Sequence, residues 1–273
     1  MLFEYIVRFA HTRKAEEIME KIFDVHAHYD DPAFDADREE IISNLLSNEV
    51  CAIVNGATDI ETTEKGIELS RKFNGFYTTA GYHPEKAEEA PKGFIEKIAQ
   101  YVNDKKVVAI GEIGLDYYWK DVPREAQLDV FEQQLKLSKE LDLPVVVHDR
   151  EAHGDVYKLL RKYRPKGIVH CFSGSVELSR EVVRLGMSIS LGGVVTFKNA
   201  RHSVEVAKEI PLDRLMLETD APYLAPVPFR GKRCDSRMIS FTAQRIAEIR
   251  GVELDELLKQ NIENACAMYG IEL

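Results

Sequence analysis

The chain has little of what marks a specialised class. Its four cysteines (Cys51, Cys171, Cys234 and Cys266) lie far apart and form no Cys-x-x-Cys pair. That argues against a disulfide framework or a zinc knuckle and points to reduced thiols in a cytoplasmic protein. No apolar run approaches the length of a membrane span. Positive charge is scarce: 36 Lys and Arg against 46 Asp and Glu give a net charge of −10. This excludes a protein that coats long nucleic acid by bulk attraction. It does not exclude an enzyme that gathers a few phosphates in a local pocket, where divalent ions offset part of the negative charge. There is no internal repeat, low-complexity tract or linker.

What is present is a globular composition, 45% hydrophobic and 30% charged over 273 residues. A chain of that length can bury a core without disulfides. Residues 1–21 stand apart. Leu2, Phe3, Tyr5, Ile6, Val7 and Phe9 make an apolar cluster, followed by Arg13, Lys14 and a Glu-rich stretch. No basic region precedes the cluster and no small-residue cleavage site follows it, so it does not read as a signal peptide. An amphipathic extension packed on the body and a start placed ahead of Met19 both stay open.

From Ile22 onward the pattern repeats. Eight β-rich runs, at 22–26, 50–55, 76–81, 107–112, 144–148, 167–170, 187–191 and 214–218, alternate with helix-like segments. Several runs are apolar on both faces, as in Val145-Val146-Val147, the mark of a buried parallel strand. Helical spacing of apolar residues marks 37–48, 60–73 and 124–141, and one or two helices close the chain after Ser236. Eight strands in alternation with helices predict an α/β fold, a (β/α)8 TIM-type barrel over 22–273 in a single domain. A doubly wound sheet is the rival, but no G-x-G-x-x-G follows the first strand.

The chemistry collects at one end of these runs. His26 and His28 are spaced i, i+2 and so share a strand face. Asn55 ends the second run, His83 follows the third, Glu112 ends the fourth, His148 the fifth and His170 the sixth, and Asp220 follows the eighth. Five of the eight histidines sit at these ends, the face on which barrel enzymes build their sites. Imidazoles and carboxylates are ligands of Zn²⁺, Mn²⁺ and related ions, and one carboxylate can bridge two. Two such ions activate water and stabilise both oxygens of a displacement, the clamp typical of phosphodiester hydrolysis.

Taken together, His26-x-His28, Gly81-Tyr82-His83-Pro84, Gly111-Glu112-Ile113-Gly114-Leu115-Asp116-Tyr117, Val147-His148-Asp149-Arg150, His170-Cys171-Phe172-Ser173-Gly174 and Glu218-Thr219-Asp220-Ala221-Pro222-Tyr223-Leu224 resemble the TatD family of metal-dependent deoxyribonucleases, in the amidohydrolase superfamily. The resemblance runs from Ile22 to the C-terminus. It implies a barrel hydrolase with two divalent ions (Zn, Mg or Mn) that cuts DNA, typically as a 3′-exonuclease. It makes His26, His28, Glu112 and Asp220 ligands of one ion, and Glu112, His148 and His170 ligands of the second, with Glu112 bridging. Asp220 would also take a proton from the attacking water. His83 is read as a substrate or leaving-group contact, and Arg150 and Ser173 as phosphate contacts. Glu218 is read as a supporting carboxylate, and Asn55 and Tyr117 as pocket lining.

The basic run Arg230-Gly231-Lys232-Arg233 after the eighth strand reads as a phosphate-gathering patch, with Arg230, Lys232 and Arg233 as its cations. The family commonly continues as Arg-Asn-Glu-Pro, whereas this chain has Arg233-Cys234-Asp235-Ser236. The change removes an amide, shortens the acid and drops a helix-starting proline, leaving Asp235 or Ser236 to cap the next helix. A hydrolase of a small ester, an amide or a D-aminoacyl-tRNA bond on the same metal site is the second reading. A barrel that has lost catalysis and serves as a binding partner is the third. The complete ligand set argues against that one.

Overall fold

Eight short apolar runs form eight parallel strands: β1 Ile22–Ala27, β2 Val50–Asn55, β3 Phe76–Ala80, β4 Val107–Asp116, β5 Val145–Arg150, β6 Gly167–Val169, β7 Ser188–Leu191 and β8 Leu215–Leu217. The computed structural model describes residues 21–273, so the extension expected over residues 1–21 lies outside them except for Lys21. Each strand pairs in parallel with the next, in the order β1 to β8. The ring is drawn together at the seam beyond β8, where Asp220 N donates to His26 O at 3.0 Å and His28 N to Ala221 O at 2.6 Å. The predicted TIM-type barrel is the observed one.

Helices follow the strands: α1 Arg38–Ser47, α2 Ile60–Lys72, α3 Phe94–Tyr101, α4 Arg124–Leu141, α5 His153–Tyr163, α6 Val176–Arg184, α7 Arg201–Glu209, and finally α8 Ile239–Arg250 and α9 Leu254–Tyr269. Local sequence accounts for several starts. Asp59 accepts from Thr62 N while Thr62 Oγ1 accepts from Asp59 N, a capping box at the head of α2. Such a cap contributes about 0.5–2 kcal/mol and fixes the loop leaving β2. On α4, Gln127 and Gln134 are seven residues apart and share one face. Their amides brace the backbone of Asp116 and Tyr82 respectively, each with a donated and an accepted bond. At the chain's end, Tyr269 stacks on Phe23 and donates its hydroxyl to Val25 O at 2.9 Å.

Most strand ends shift by a residue or two from the sequence pattern, and that of β4 shifts further. β4 continues four residues past Glu112, and all ten of its residues are buried. It continues because Gly114 lies hard against β5, where a Cβ would meet His148 O at 2.0 Å. His83, beyond the end of β3, caps the short 3-10 turn Pro84–Glu89. β8 is only three residues long, and Asp220 lies in the loop beyond it with φ +61°. Glu151, Cys171 and Leu224 also have left-handed φ. These strained residues follow β5, β6 and β8, and such strain collects at functional ends. Among the described residues, no helix is long and apolar enough to cross a membrane.

Candidate metal centre

β1 carries His26 and His28 to the rim on one face, and the loop after β2 sets their rings. His28 Nδ1 lies 2.8 Å from Gly56 O and donates to it, which leaves the Nε2 lone pair free to point inward. Gly56 must be glycine for this packing, because a Cβ there would sit 2.4 Å from His26 Cε1 and 3.0 Å from His28 Cε1.

Four polar atoms then converge. His26 Nε2 and His28 Nε2 are 3.1 Å apart. They lie 3.3 and 3.4 Å from Glu112 Oε2, and 3.7 and 3.4 Å from Asp220 Oδ1. Ligands about 2.0–2.2 Å from a tetrahedral ion are separated by about 3.3–3.6 Å. The cluster therefore has the edge lengths of a coordination shell, and its donor set suits a divalent cation. Asp220 is the carboxylate of the group that reaches solvent, with its side chain 16% exposed against 3% for Glu112.

The other oxygen of Glu112 faces a second group. Glu112 Oε1 lies 2.7 Å from His148 Nδ1 and 2.8 Å from His170 Nε2, and these nitrogens are 3.4 Å apart. One carboxylate thus turns an oxygen toward each half of the cluster. Both imidazoles have a carboxylate behind them. His148 Nε2 lies 3.0 Å from Asp116 Oδ2. His170 Nδ1 faces Glu218 Oε1 at 3.8 Å, and neither atom has a hydrogen-bond partner. Carboxylates in that position fix ring orientation and raise ligand basicity.

His83 Nε2 also approaches Glu112 Oε1, at 3.4 Å, so geometry alone admits it as a ligand. The Glu85 amide donates to its Nδ1, which puts the proton of the neutral ring on Nε2. Burial lowers its pKa and favours that neutral form. His83 therefore presents an N–H to the site.

The electrostatics show a cage that wants positive charge. Burial disfavours the Glu112 carboxylate, yet His170, His83 and His26 hold it well below the usual carboxylate range. Burial works against a charged His28, but Asp220 and Glu112 raise it to about 10. In the same way Asp116 and Glu112 raise His148 to about 9.

Above the cluster opens a cavity of about 910 Å³. His28, His83, Glu112, His148, Arg150, His170, Ser173 and Asp220 line it. Arg230, Lys232 and Arg233, expected as a phosphate-gathering patch, are not among its lining residues. Arg233 is taken up elsewhere: it grips Asp37 with two bonds of 2.8 and 2.6 Å, donates to Ala33 O and lies over Phe34. Arg230 lies over Phe197. Asn55 and Tyr117 are not pocket lining either. Asn55 is spent on Tyr29 N and Asp30, and Tyr117 on Asp155.

Two supports escaped the sequence reading. Asp116 is one; its even spacing from Glu112 on β4 is the signal that could have found it. Asp24 is the other. Fully buried, it accepts from Thr219 N at 3.0 Å, Thr219 Oγ1 at 2.6 Å and Ser236 Oγ at 2.7 Å. It thereby ties β1 to the residue before Asp220. Burial pushes its carboxyl up to about 7, and the Thr219 and Ser236 donors limit the rise. Asp235 supplies the cap in this segment, accepting from Arg237 N at 3.1 Å.

The sequence model of the family described as TatD related DNase matches residues 23–270. The protein named uncharacterized metal-dependent hydrolase YabD, from Bacillus subtilis (strain 168), is 39% identical over 253 residues, covering 92% of this chain and 99% of its own length. The protein of the same description named YcfH, from Escherichia coli (strain K12), is 31% identical over 257 residues, covering 92% and 96%. Among solved structures, YjjV, described as a TatD homologue from Escherichia coli K12, superposes with a TM-score of 0.86 at 31% identity, over 92% of this chain and 98% of that one. An organophosphorus hydrolase from Deinococcus radiodurans, with TM-score 0.60 and 13% identity over 94% and 98%, shares the fold alone.

Proposed function

Because the chain belongs to the TatD-related DNase family, we propose that it is a metal-dependent hydrolase of DNA phosphodiesters, working as a 3′-5′ exonuclease on single strands or ends. The single observation that carries the reading is the divided carboxylate of Glu112, with one oxygen on the His26–His28–Asp220 group and the other on the His148–His170 group. His26, His28, Glu112 and Asp220 would hold one divalent ion, and Glu112, His148 and His170 a second. Ions bound there would lower the pKa of water and offset phosphate charge.

The chain's own residues divide the remaining work. Asp220, partly open to the cavity, accepts the proton of the attacking water as its oxygen bonds to phosphorus. His83 Nε2–H donates to the leaving oxygen as the phosphorus–oxygen bond breaks. Arg150 and Ser173, on the cavity wall, hold the non-bridging oxygens. The catalytic unit is the single barrel of residues 22–273, and its four free cysteines support a cytoplasmic location.

Nine carboxylates and three cations line the cavity. That balance repels a long polyanion, so it favours short ends. It also keeps a second reading open, hydrolysis of a small ester, an amide or a D-aminoacyl-tRNA bond. The test is an end-labelled oligonucleotide incubated with protein and Mg²⁺, Mn²⁺ or Zn²⁺. Shortening from the 3′ end is expected, with Glu112→Gln at background. Metal-replete protein that leaves every oligonucleotide intact but cleaves esters or D-aminoacyl-tRNA would replace the first reading with the second.

A further inference from the structure

Among the described residues, the most exposed aromatic rings lie on two loops at the rim of the barrel. Tyr118 and Trp119 are 46% and 48% exposed, and Tyr223 is 52% exposed. The first two follow β4 and the third follows β8. Those strands are four apart in the order of eight, so their loops face each other across the barrel. Trp119 and Tyr223 both line the cavity over the candidate ligands.

These rings are held open rather than left loose. The amides of Tyr118 and Trp119 both donate to Asp116 Oδ1, at 2.9 and 3.2 Å. The Tyr223 hydroxyl donates to Asp31 at 2.7 Å. The exposed Arg150 guanidinium lies 4.0 Å from the Tyr118 ring centre and 5.7 Å from that of Trp119. Among the described residues it forms no ion pair, so its donors are free for an incoming anion.

Flat apolar rings beside a free guanidinium fit one kind of group well, a nucleobase with its phosphate. Every base has a π-face, so stacking tolerates any sequence, and the cation takes the backbone. We propose that Trp119, backed by Tyr118 and Arg150, stacks a nucleobase next to the phosphodiester being cut, and that Tyr223 takes the base on the other side. The inference rests on the phosphodiesterase reading of the metal centre. Bases inside a duplex offer no free face, so the preferred substrate is an unpaired end of at least two nucleotides.

Trp119 is the only tryptophan in the chain, so its emission reports the contact directly. Metal-loaded protein is titrated with thymidine 5′-monophosphate and, separately, with deoxyribose 5-phosphate. The nucleotide should quench the emission and the base-free sugar phosphate should not. Stacking contributes about 5- to 150-fold per base, so Trp119→Ala should raise KM for a thymidylate tetranucleotide about tenfold, with Trp119→Phe restoring most of it. An equal emission response to both ligands, or a wild-type KM in Trp119→Ala, overturns the proposal. Quenching by thymidylate without cleavage of any oligonucleotide keeps the stacking site and discards the phosphodiesterase reading. Cleavage without quenching does the reverse.

Discussion

Asp116 Oδ2 sits 3.0 Å from His148 Nε2, on the far side of the imidazole from Glu112. Its other oxygen caps the backbone of Tyr118 and Trp119. One carboxylate thus orients a candidate ligand and the aromatic loop together. Asp116→Asn should weaken binding at the His148–His170 group by about 10- to 100-fold and shift the Trp119 emission as well. Metal titration followed by fluorescence checks both; an unaltered affinity would remove Asp116 from the centre.

Gly56 is set against both histidines of β1. In Gly56→Ala the new methyl group meets the buried His26 ring, which has no free space to retreat into. Affinity for the ion held by His26 and His28 should fall by about tenfold or more, with the barrel still folded by circular dichroism. Elemental analysis showing full metal content after dialysis would contradict this.

The raised pKa values of His28 and His148 give metal binding a definite pH sign. Both lie above the ordinary 6.5, at about 10 and about 9, so their protons stabilise the ion-free fold fully below pH 6.5. That contribution is lost as pH rises through the folded values. A bound ion replaces those protons. The Tm gap between loaded and EDTA-stripped protein should therefore widen from about pH 6.5 to about pH 9. Zinc loading near pH 8 should also release protons, seen as a calorimetric heat that depends on the buffer's own protonation enthalpy. A heat independent of buffer would mean that the cage holds no protons to displace.

Ser236 stands where the family commonly has proline, and its hydroxyl links Tyr29 to the buried Asp24. Ser236→Ala leaves that carboxylate one donor short, at a cost of about 1–3 kcal/mol. Urea unfolding should show a lower midpoint with an unchanged slope. Stability equal to wild type would mean that Asp24 is satisfied by Thr219 alone.

Much of the fold was legible because parallel strands buried on both faces leave unbroken apolar runs, as Val145-Val146-Val147 does. The seven-residue spacing of Gln127 and Gln134 carried no comparable signal, since their partners, Asp116 and Tyr82, are known only once α4 is docked. The gathering of His26, Glu112, His170 and Asp220 followed from where each run stops. The continuation of β4 did not, because Glu112 and Asp116 look like the end of a strand until their histidine partners are in place. Arg233 shows how a long-range partner escapes the sequence. A cation in a basic run after the eighth strand reads as a phosphate contact, yet Asp37, distant in sequence, takes it through two hydrogen bonds.

The seam between β1 and β8 joins the start of the barrel to its end, through Asp220 N on His26 O. A cation that needs both His26 and Asp220 can be captured only after the last strand has been synthesised and docked. Loading of that group would then act as a clasp on the finished ring, and a nascent or truncated chain lacking β8 would keep the Glu112–His148–His170 group but could not complete the one that needs Asp220.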